Sequence, residues 1–261
     1  MFSSIRNHPL VQAIIQDPFI RPLIRRFRIG SFVQRAKLGA LSSHSNYGYC
    51  VWHGAVLAKK LGYKKISVVE FGVASGNSFL ALEKHAIEVE KLLGIEIEVY
   101  GFDNVSGLPK PEDYRDIPYF WKQGEFSLNT EALEKKLTKG RLVLGNVKQT
   151  LTDFVKKYNP APIAFASFDL DYYSSTKDAF LIFDRAPHLP RVFTYFDDVG
   201  SSDELLMSEY VGQPLAINEF NAEHKGKISQ LPHLVKSARM YNKIRVFHDF
   251  DHKDYNKFIG K

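Results

Sequence analysis

Ser67-Val68-Val69-Glu70-Phe71-Gly72-Val73-Ala74-Ser75-Gly76-Asn77-Ser78 reads as a short apolar strand ending in an acid, then a glycine-bearing loop, then a helix start. Phe79 to Lys84 follows with good helix formers, and Asn77 or Ser78 is the expected cap. A strand that feeds a tight loop into a helix presents unpaired backbone N–H groups beside a positive dipole end. Such a loop suits a nucleotide-like ligand lying close to the backbone. The spacing is E-x-G-x-x-x-G, with Gly72 and Gly76. It is neither G-x-G-x-x-G nor a phosphate-binding G-x-x-x-x-G-K-[ST] loop.

The same alternation continues along the chain. Glu96 to Phe102 reads as a second strand ending at Asp103, followed by an Asn104–Pro109 loop. Arg141–Leu144, Ile163–Phe168 and Arg191–Phe196 read as three more strands, and the Lys243–Phe247 region as at least one more. Helices are expected over Tyr47–Leu61, from the glycine loop to about Leu93, and over Thr130–Lys139 and Thr150–Tyr158. Two more are expected, one capped by Ser174 or Ser175 and running to about Arg185, the other over Pro214–Glu223. Strands alternating with helices predict an α/β, doubly wound Rossmann-like sheet, mostly parallel with an antiparallel strand near the C-terminus.

Composition bounds the rest. The 261 residues, 44% hydrophobic and 25% charged, are those of an ordinary globular chain with room for one large α/β domain. A single cysteine, Cys50, excludes an internal disulfide and fits a reducing compartment, so a cytoplasmic protein is expected. No apolar run approaches the roughly 20 residues of a membrane span, and the amino terminus lacks the apolar block of a secretory signal. The formal charge of +6 is localised: residues 1–40 hold seven basic residues against Asp17, and the remainder is balanced. A nucleic-acid enzyme would spread its basic residues over a working face, so no nucleic-acid partner is expected. Residues 1–45 are expected as a basic helical extension. Its apolar residues Phe19, Ile20, Leu23, Ile24 and Phe27 recur at helical spacing among arginines. That stripe suits packing on the domain or on a second subunit in a homo-oligomer, or peripheral contact with an anionic membrane.

Acids recur where strands end: Glu70, Asp103, Asp169, Asp171, Asp197 and Asp198. In an open α/β sheet the ligand sits outside those carboxyl ends. Asp103, about one βαβ unit beyond the glycine loop, is placed to accept hydrogen bonds from a ribose diol. Asp169 and Asp171 are two apart and project to one face of an extended chain. With Asp197-Asp198 they would put four carboxylates in one crevice, which calls for a cation. An all-oxygen set favours Mg²⁺, Mn²⁺ or Ca²⁺ over zinc.

These residues carry a family resemblance. The chain resembles class I S-adenosylmethionine-dependent methyltransferases, specifically the macrocin O-methyltransferase family. The matching pieces are Val69-Glu70-Phe71-Gly72-Val73…Gly76, Tyr100-Gly101-Phe102-Asp103…Gly107-Leu108-Pro109 and Gly124-Glu125-Phe126-Ser127. Phe168-Asp169-Leu170-Asp171-Tyr172-Tyr173-Ser174-Ser175-Thr176, Phe196-Asp197-Asp198 and Ala216-Ile217-Asn218-Glu219-Phe220 extend the match. The resemblance implies that residues 46–261 form the methyltransferase domain. It also implies Mg²⁺-dependent methyl transfer from S-adenosylmethionine to a sugar hydroxyl of a glycoside, saccharide or natural product. By motif match, Asp169, Asp197 and Asp198 would bind the metal and Asp171 would be the general base. Glu70, Gly72, Ala74, Ser75, Gly76, Asn77, Ser78, Asp103, Asn104 and Asp169 would line the cofactor site, with Asn146 near the adenine. Gly145-Asn146-Val147-Lys148 departs from the family's glycine-plus-aromatic segment. The alternatives are a catechol-like phenol as acceptor, or a cofactor-binding scaffold without turnover. The tail places His248 and His252 at i and i+4, on one face if the strand continued, although a surface hairpin is the plainer reading.

Overall fold

In the computed structural model, which describes residues 20–200, 203–235 and 240–260, the strand that opens the glycine motif is Lys65–Phe71 (β1). Chain order before it is α1 (Ile20–Phe27), α2 (Phe32–Lys37) and α3 (Ser45–Leu61). After it come α4 (Asn77–Leu93), β2 (Glu96–Asp103), α5 (Thr130–Glu134), β3 (Arg141–Leu144), α6 (Val147–Tyr158) and β4 (Ile163–Phe168). The remainder is α7 (Tyr173–Phe180), α8 (Ile182–Arg185), β5 (His188–Phe196), α9 (Gly212–Glu223), β6 (Lys227–Gln230), α10 (Pro232–Val235) and β7 (Ile244–His248).

The seven strands form one sheet in the order β3-β2-β1-β4-β5-β7-β6. The first five are parallel, and β7 runs antiparallel to both β5 and β6. The order reverses direction between β1 and β4, the switch point where α/β sheets bind ligands. All six residues of β4 are buried, as a continuous apolar run in a central parallel strand requires. Along β1 the pleat sends Ile66 and Val68 to one face, packed with α3 and α4, and Val69 and Phe71 to the other. Phe154 of α6, Phe180 of α7 and Phe220 of α9 cover that second face.

Several expectations are corrected by tertiary contacts. The helix after the glycine loop has Gly76 at its N-cap, at φ +80°, without the expected Asn77 or Ser78 side-chain cap. The helix at Thr130 ends at Glu134, short of Lys139. The helix expected from Thr150 begins at Val147, because the Asn146 side chain accepts from Lys148 and Gln149 N–H and caps it. β6 has no sequence forecast: Lys227-Ile228-Ser229-Gln230 is short and only one of its residues is buried. Phe32, Ala36 and Leu41 enter the core against α3; of the expected apolar stripe, Ile24 is buried, Leu23 and Phe27 stay exposed, and Phe19, with the rest of residues 1–19, lies outside the described residues.

Candidate active site

The glycine loop is held in place from two sides. Gly72 adopts φ +84°, and a Cβ there would lie 1.7 Å from the carbonyl oxygen of Asp169 at the end of the neighbouring strand. Only glycine allows β1 and β4 to approach this closely. From β2, Asp103 Oδ2 accepts hydrogen bonds from Val73 N–H and Ala74 N–H, both at 2.9 Å, and Oδ1 accepts from Val105 N–H at 2.6 Å. The acid expected to receive a ribose is therefore also the clamp of the loop. Three of its roughly four lone-pair sites are occupied by backbone.

Glu70 sits apart from the cavity. It is fully buried beneath the loop, where Tyr47 of α3 donates to its Oε1 at 3.0 Å and also stands 2.6 Å from Ser167 Oγ. Burial pushes the Glu70 carboxyl up to about 8, against the pull of hydrogen bonds from Ser78 and Tyr47. Ser75, Gly76, Asn77 and Ser78 also lie outside the cavity lining, whereas Gly72, Ala74, Asp103, Asn104 and Asn146 belong to it.

The four aspartates converge. Asp169, Asp171, Asp197 and Asp198 all line one cavity of about 450 Å³, which has Phe71 and Phe102 from the sheet on its wall. Asp171 is held at φ +60°, and its N–H donates to Asp198 Oδ2 at 3.2 Å. Asp198 N–H donates in turn to Gln213 Oε1 at 3.0 Å, and Gln213 Nε2 donates to Phe168 O at 3.0 Å, so α9 braces both strand ends. Burial, followed by the neighbouring carboxylates, pushes Asp171 up to about 8 and Asp198 up to about 7, and raises Asp169 well above its usual range. Among the described residues, Lys243 is the lysine or arginine that pairs with the group. Its buried ammonium donates to the Asp197 carbonyl and lies 3.4 Å from Asp197 Oδ1, which also accepts from Tyr195 OH at 2.7 Å.

A lid closes the cavity. Gly107 to Glu125 leaves the end of β2 and returns to its own base, where Leu108 N–H donates to Glu125 O at 2.8 Å and Gly124 N–H donates to Leu108 O at 2.9 Å. Phe120 and Trp121 of this segment line the cavity, and Trp121 Nε1 is buried without a hydrogen-bond partner. The aromatic stretch from Tyr114 to Trp121 thus acts as a lid wall more than as core. Its anchor is Asp116, fully buried, whose Oδ1 accepts from Ser174 N–H at 2.8 Å and whose Oδ2 accepts from Ser174 Oγ–H at 2.9 Å. Asp116 supplies the cap of α7 that Ser174 or Ser175 had been expected to supply. Arg115 reinforces it, stacking 4.4 Å from the Tyr173 ring centroid.

Neither tail histidine reaches the site. His248 ends β7 and pairs with Tyr255 OH at 3.0 Å, while His252 lies in the following turn, where its Nδ1 accepts from Asp254 N–H. They do not share a strand face. The sequence assigns no site role to Asp116, Gln213, Lys243 or Tyr47. Only Lys243 left a signal there, as a charge at the head of an apolar strand.

Among the described residues, no group of three or more His, Cys, Asp or Glu side chains stands at metal-binding separation. In donor type and charge the aspartates nevertheless fit a hard divalent cation, because after burial Asp198, Asp197 and Asp171 all raise Asp169, and Lys243 only partly opposes the rise at Asp198.

Known structures share this fold. The chain aligns with a structure described as the O-methyltransferase NovP, at 15% identity, over 78% of this chain and 77% of that one, with a TM-score of 0.54. It aligns equally with CalS11, described as a calicheamicin methyltransferase, at 18% identity, over 94% and 95% of the two chains, again with a TM-score of 0.54. The fold is the Rossmann-like methyltransferase fold. No family model and no curated protein sequence matches the chain. The Gly72 loop and the four aspartates meet at the switch point between β1 and β4, the place where open α/β sheets bind ligands.

Proposed function

We propose that this protein is an S-adenosylmethionine-dependent O-methyltransferase acting on a sugar hydroxyl of a glycoside, saccharide or natural product. One observation carries the reading: a single cavity joins the clamped glycine loop to Asp169, Asp171, Asp197 and Asp198, beneath an aromatic lid. S-adenosylmethionine would supply a methyl group on its sulfonium, held by the loop, Asp103 and Asn146. Mg²⁺, held by Asp169, Asp197 and Asp198, would lower the pKa of the acceptor hydroxyl and orient it.

The chain's own residues divide the remaining work. Asp171 takes the proton of the acceptor hydroxyl as its oxygen attacks the methyl carbon, so the sulfonium leaves as a neutral thioether. Phe120 and Trp121 exclude water and present an apolar surface to a sugar ring, with Trp121 Nε1–H free to donate to an acceptor oxygen. Gln213 keeps the two aspartate-bearing strand ends in register, which holds base and acceptor at reactive distance.

Calorimetric titration with S-adenosylmethionine, with and without Mg²⁺, tests the reading on the wild type and on Asp169→Ala and Asp197→Ala. Metal-dependent binding that both substitutions weaken is expected. Binding that ignores Mg²⁺ would remove the metal from the reading, and no cofactor binding would remove the reading altogether. Against a panel of glycosides and catechols, Asp171→Asn should bind cofactor and metal but transfer methyl about 10²–10⁴-fold more slowly. Asparagine tolerates the φ of +60° found there, so the loop should keep its shape.

A further inference from the structure

A second cavity, of about 470 Å³, lies between α9 and the β5–β7–β6 end of the sheet. It shares no lining residue with the aspartate cavity. Its polar lining includes Asn218, Gln230, Asn242 and Arg245, and no acidic residue lines it among the described residues.

Arg245 is half-buried and differs in its partners from the other cations drawn into the protein. Arg35 and Lys243 each face a carboxylate, Glu88 and Asp197, and Arg191 lies over the Tyr255 ring at 5.1 Å. Arg245 forms no ion pair among the described residues. Its guanidinium is met by neutral oxygens alone: Asn242 O at 2.5 Å, Ile244 O at 3.3 Å, and Gln230 Oε1 at 2.9 Å once that amide is turned to face it. Burial, with no anion to oppose it, pushes the group down to about 10. Thr194, directly opposite Arg245 in the β5–β7 ladder and so on the same face, has a buried hydroxyl with no hydrogen-bond partner. A half-buried guanidinium without a counter-charge among the described residues, facing an open polar cavity, is available to an anion.

We propose that this cavity binds a phosphate group, free or carried on a larger molecule, with Arg245 supplying the charge. A guanidinium offers the forked donor geometry that phosphate oxygens match, and the Asn218 and Asn242 amides add neutral donors at the rim. The position matters, because α9 carries Asn218 on the cavity and Gln213 against Asp198. Val199 and Gly200, which directly follow Asp198, also line it. An anion here would stiffen the helix and the loop that brace the aspartates, whatever the reaction they serve.

The test is a titration of the full-length protein with inorganic phosphate, followed by amide chemical shifts of Gly200, Asn218 and Asn242. Potassium chloride at matched ionic strength is the control. Saturable shifts with phosphate and none with chloride are expected. Arg245→Met should weaken phosphate by about tenfold or more, while Arg245→Lys should keep part of the affinity. Should Arg245→Met not fold, Asn218→Leu on the exposed side of α9 decides instead, with a several-fold loss expected. A nucleoside diphosphate that binds more tightly than inorganic phosphate at the same residues identifies a carried phosphate, and equal or weaker binding a free one. Shifts that never saturate, that chloride reproduces, or that persist unchanged in the substituted proteins would overturn the site. Separate titration with S-adenosylmethionine keeps this outcome distinct from the fate of the proposed activity.

Discussion

The carboxylate of Asp103 accepts a hydrogen bond from the backbone N–H of Ala74 at 2.9 Å, across the gap between the ends of β2 and β1. Ala74 sits at φ +45°, so its conformation depends on an external hold. Asp103→Ala would leave two loop N–H groups and that of Val105 without an acceptor. A loss of about 1–3 kcal/mol in stability is expected, with a larger proportional loss in S-adenosylmethionine affinity. Asp103→Asn keeps one acceptor oxygen and should fall between. Denaturant melts and calorimetry on the three proteins would show the ordering, and equal cofactor affinity in all three would rule out the clamp.

Gly72 tolerates no side chain. Its Cβ would meet the Asp169 carbonyl at 1.7 Å, and backbone cannot swing away as a side chain can. Gly72→Ala should therefore separate β1 from β4 at the switch point, destabilising the fold by roughly 3 kcal/mol or more. Gly124, also at positive φ but with nothing within 4 Å of its Cβ, is the control and should lose only about 1 kcal/mol on the same change.

Glu70 makes stability depend on pH in the unusual direction. Its folded pKa, near 8, lies above its unfolded value of about 4.5, so between these limits the folded protein holds a proton that the unfolded chain has lost. The resulting contribution is complete below about pH 4.5, shrinks as pH rises, and is gone above about pH 8. The melting temperature should drop by roughly 5 °C between pH 6 and pH 9, and Glu70→Gln should lessen that slope, the remainder coming from Asp171 and Asp198, whose raised carboxyls act in the same direction. A wild-type melting temperature that rises over this range would contradict the buried neutral carboxyl.

Asp116 latches the lid to the helix that follows Asp171. In a Trp52→Phe background, Trp121 becomes the one tryptophan reporter. Asp116→Ala removes the acceptor for Ser174 N–H and Ser174 Oγ–H, so acrylamide should quench Trp121 several-fold faster while the melting transition stays cooperative. Unchanged quenching would mean that the base of the lid, at Leu108 and Gly124, holds it unaided.

Much of this protein could be read locally. The strands at Ser67, Glu96, Ile163 and Arg191 announce themselves because an apolar run flanked by turn residues has few other uses, and their acids are visible as the residues that end the runs. The cavity accordingly contains Asp103, Asp169, Asp171, Asp197 and Asp198, all picked out by position. Glu70 fits the same sequence pattern but faces Tyr47, since its side of the pleat is the α3 side. That distinction depends on which helix covers which face, and no local signal carries it.

What the sequence alone determined was the order of elements and the placement of carboxylates at strand ends, because periodicity and turn chemistry act over a few residues. Tertiary structure alone decided what each carboxylate does. Asp103 meets a loop 29 residues earlier, Asp116 caps a helix 58 residues later, and Lys243 returns 46 residues after Asp197 to face it. Such contacts follow from strand order and register, which bring distant chain segments together only after the sheet has formed. The glycine loop owes its spacing to the sequence, and its shape to Asp103 and Asp169 on the strands beside it.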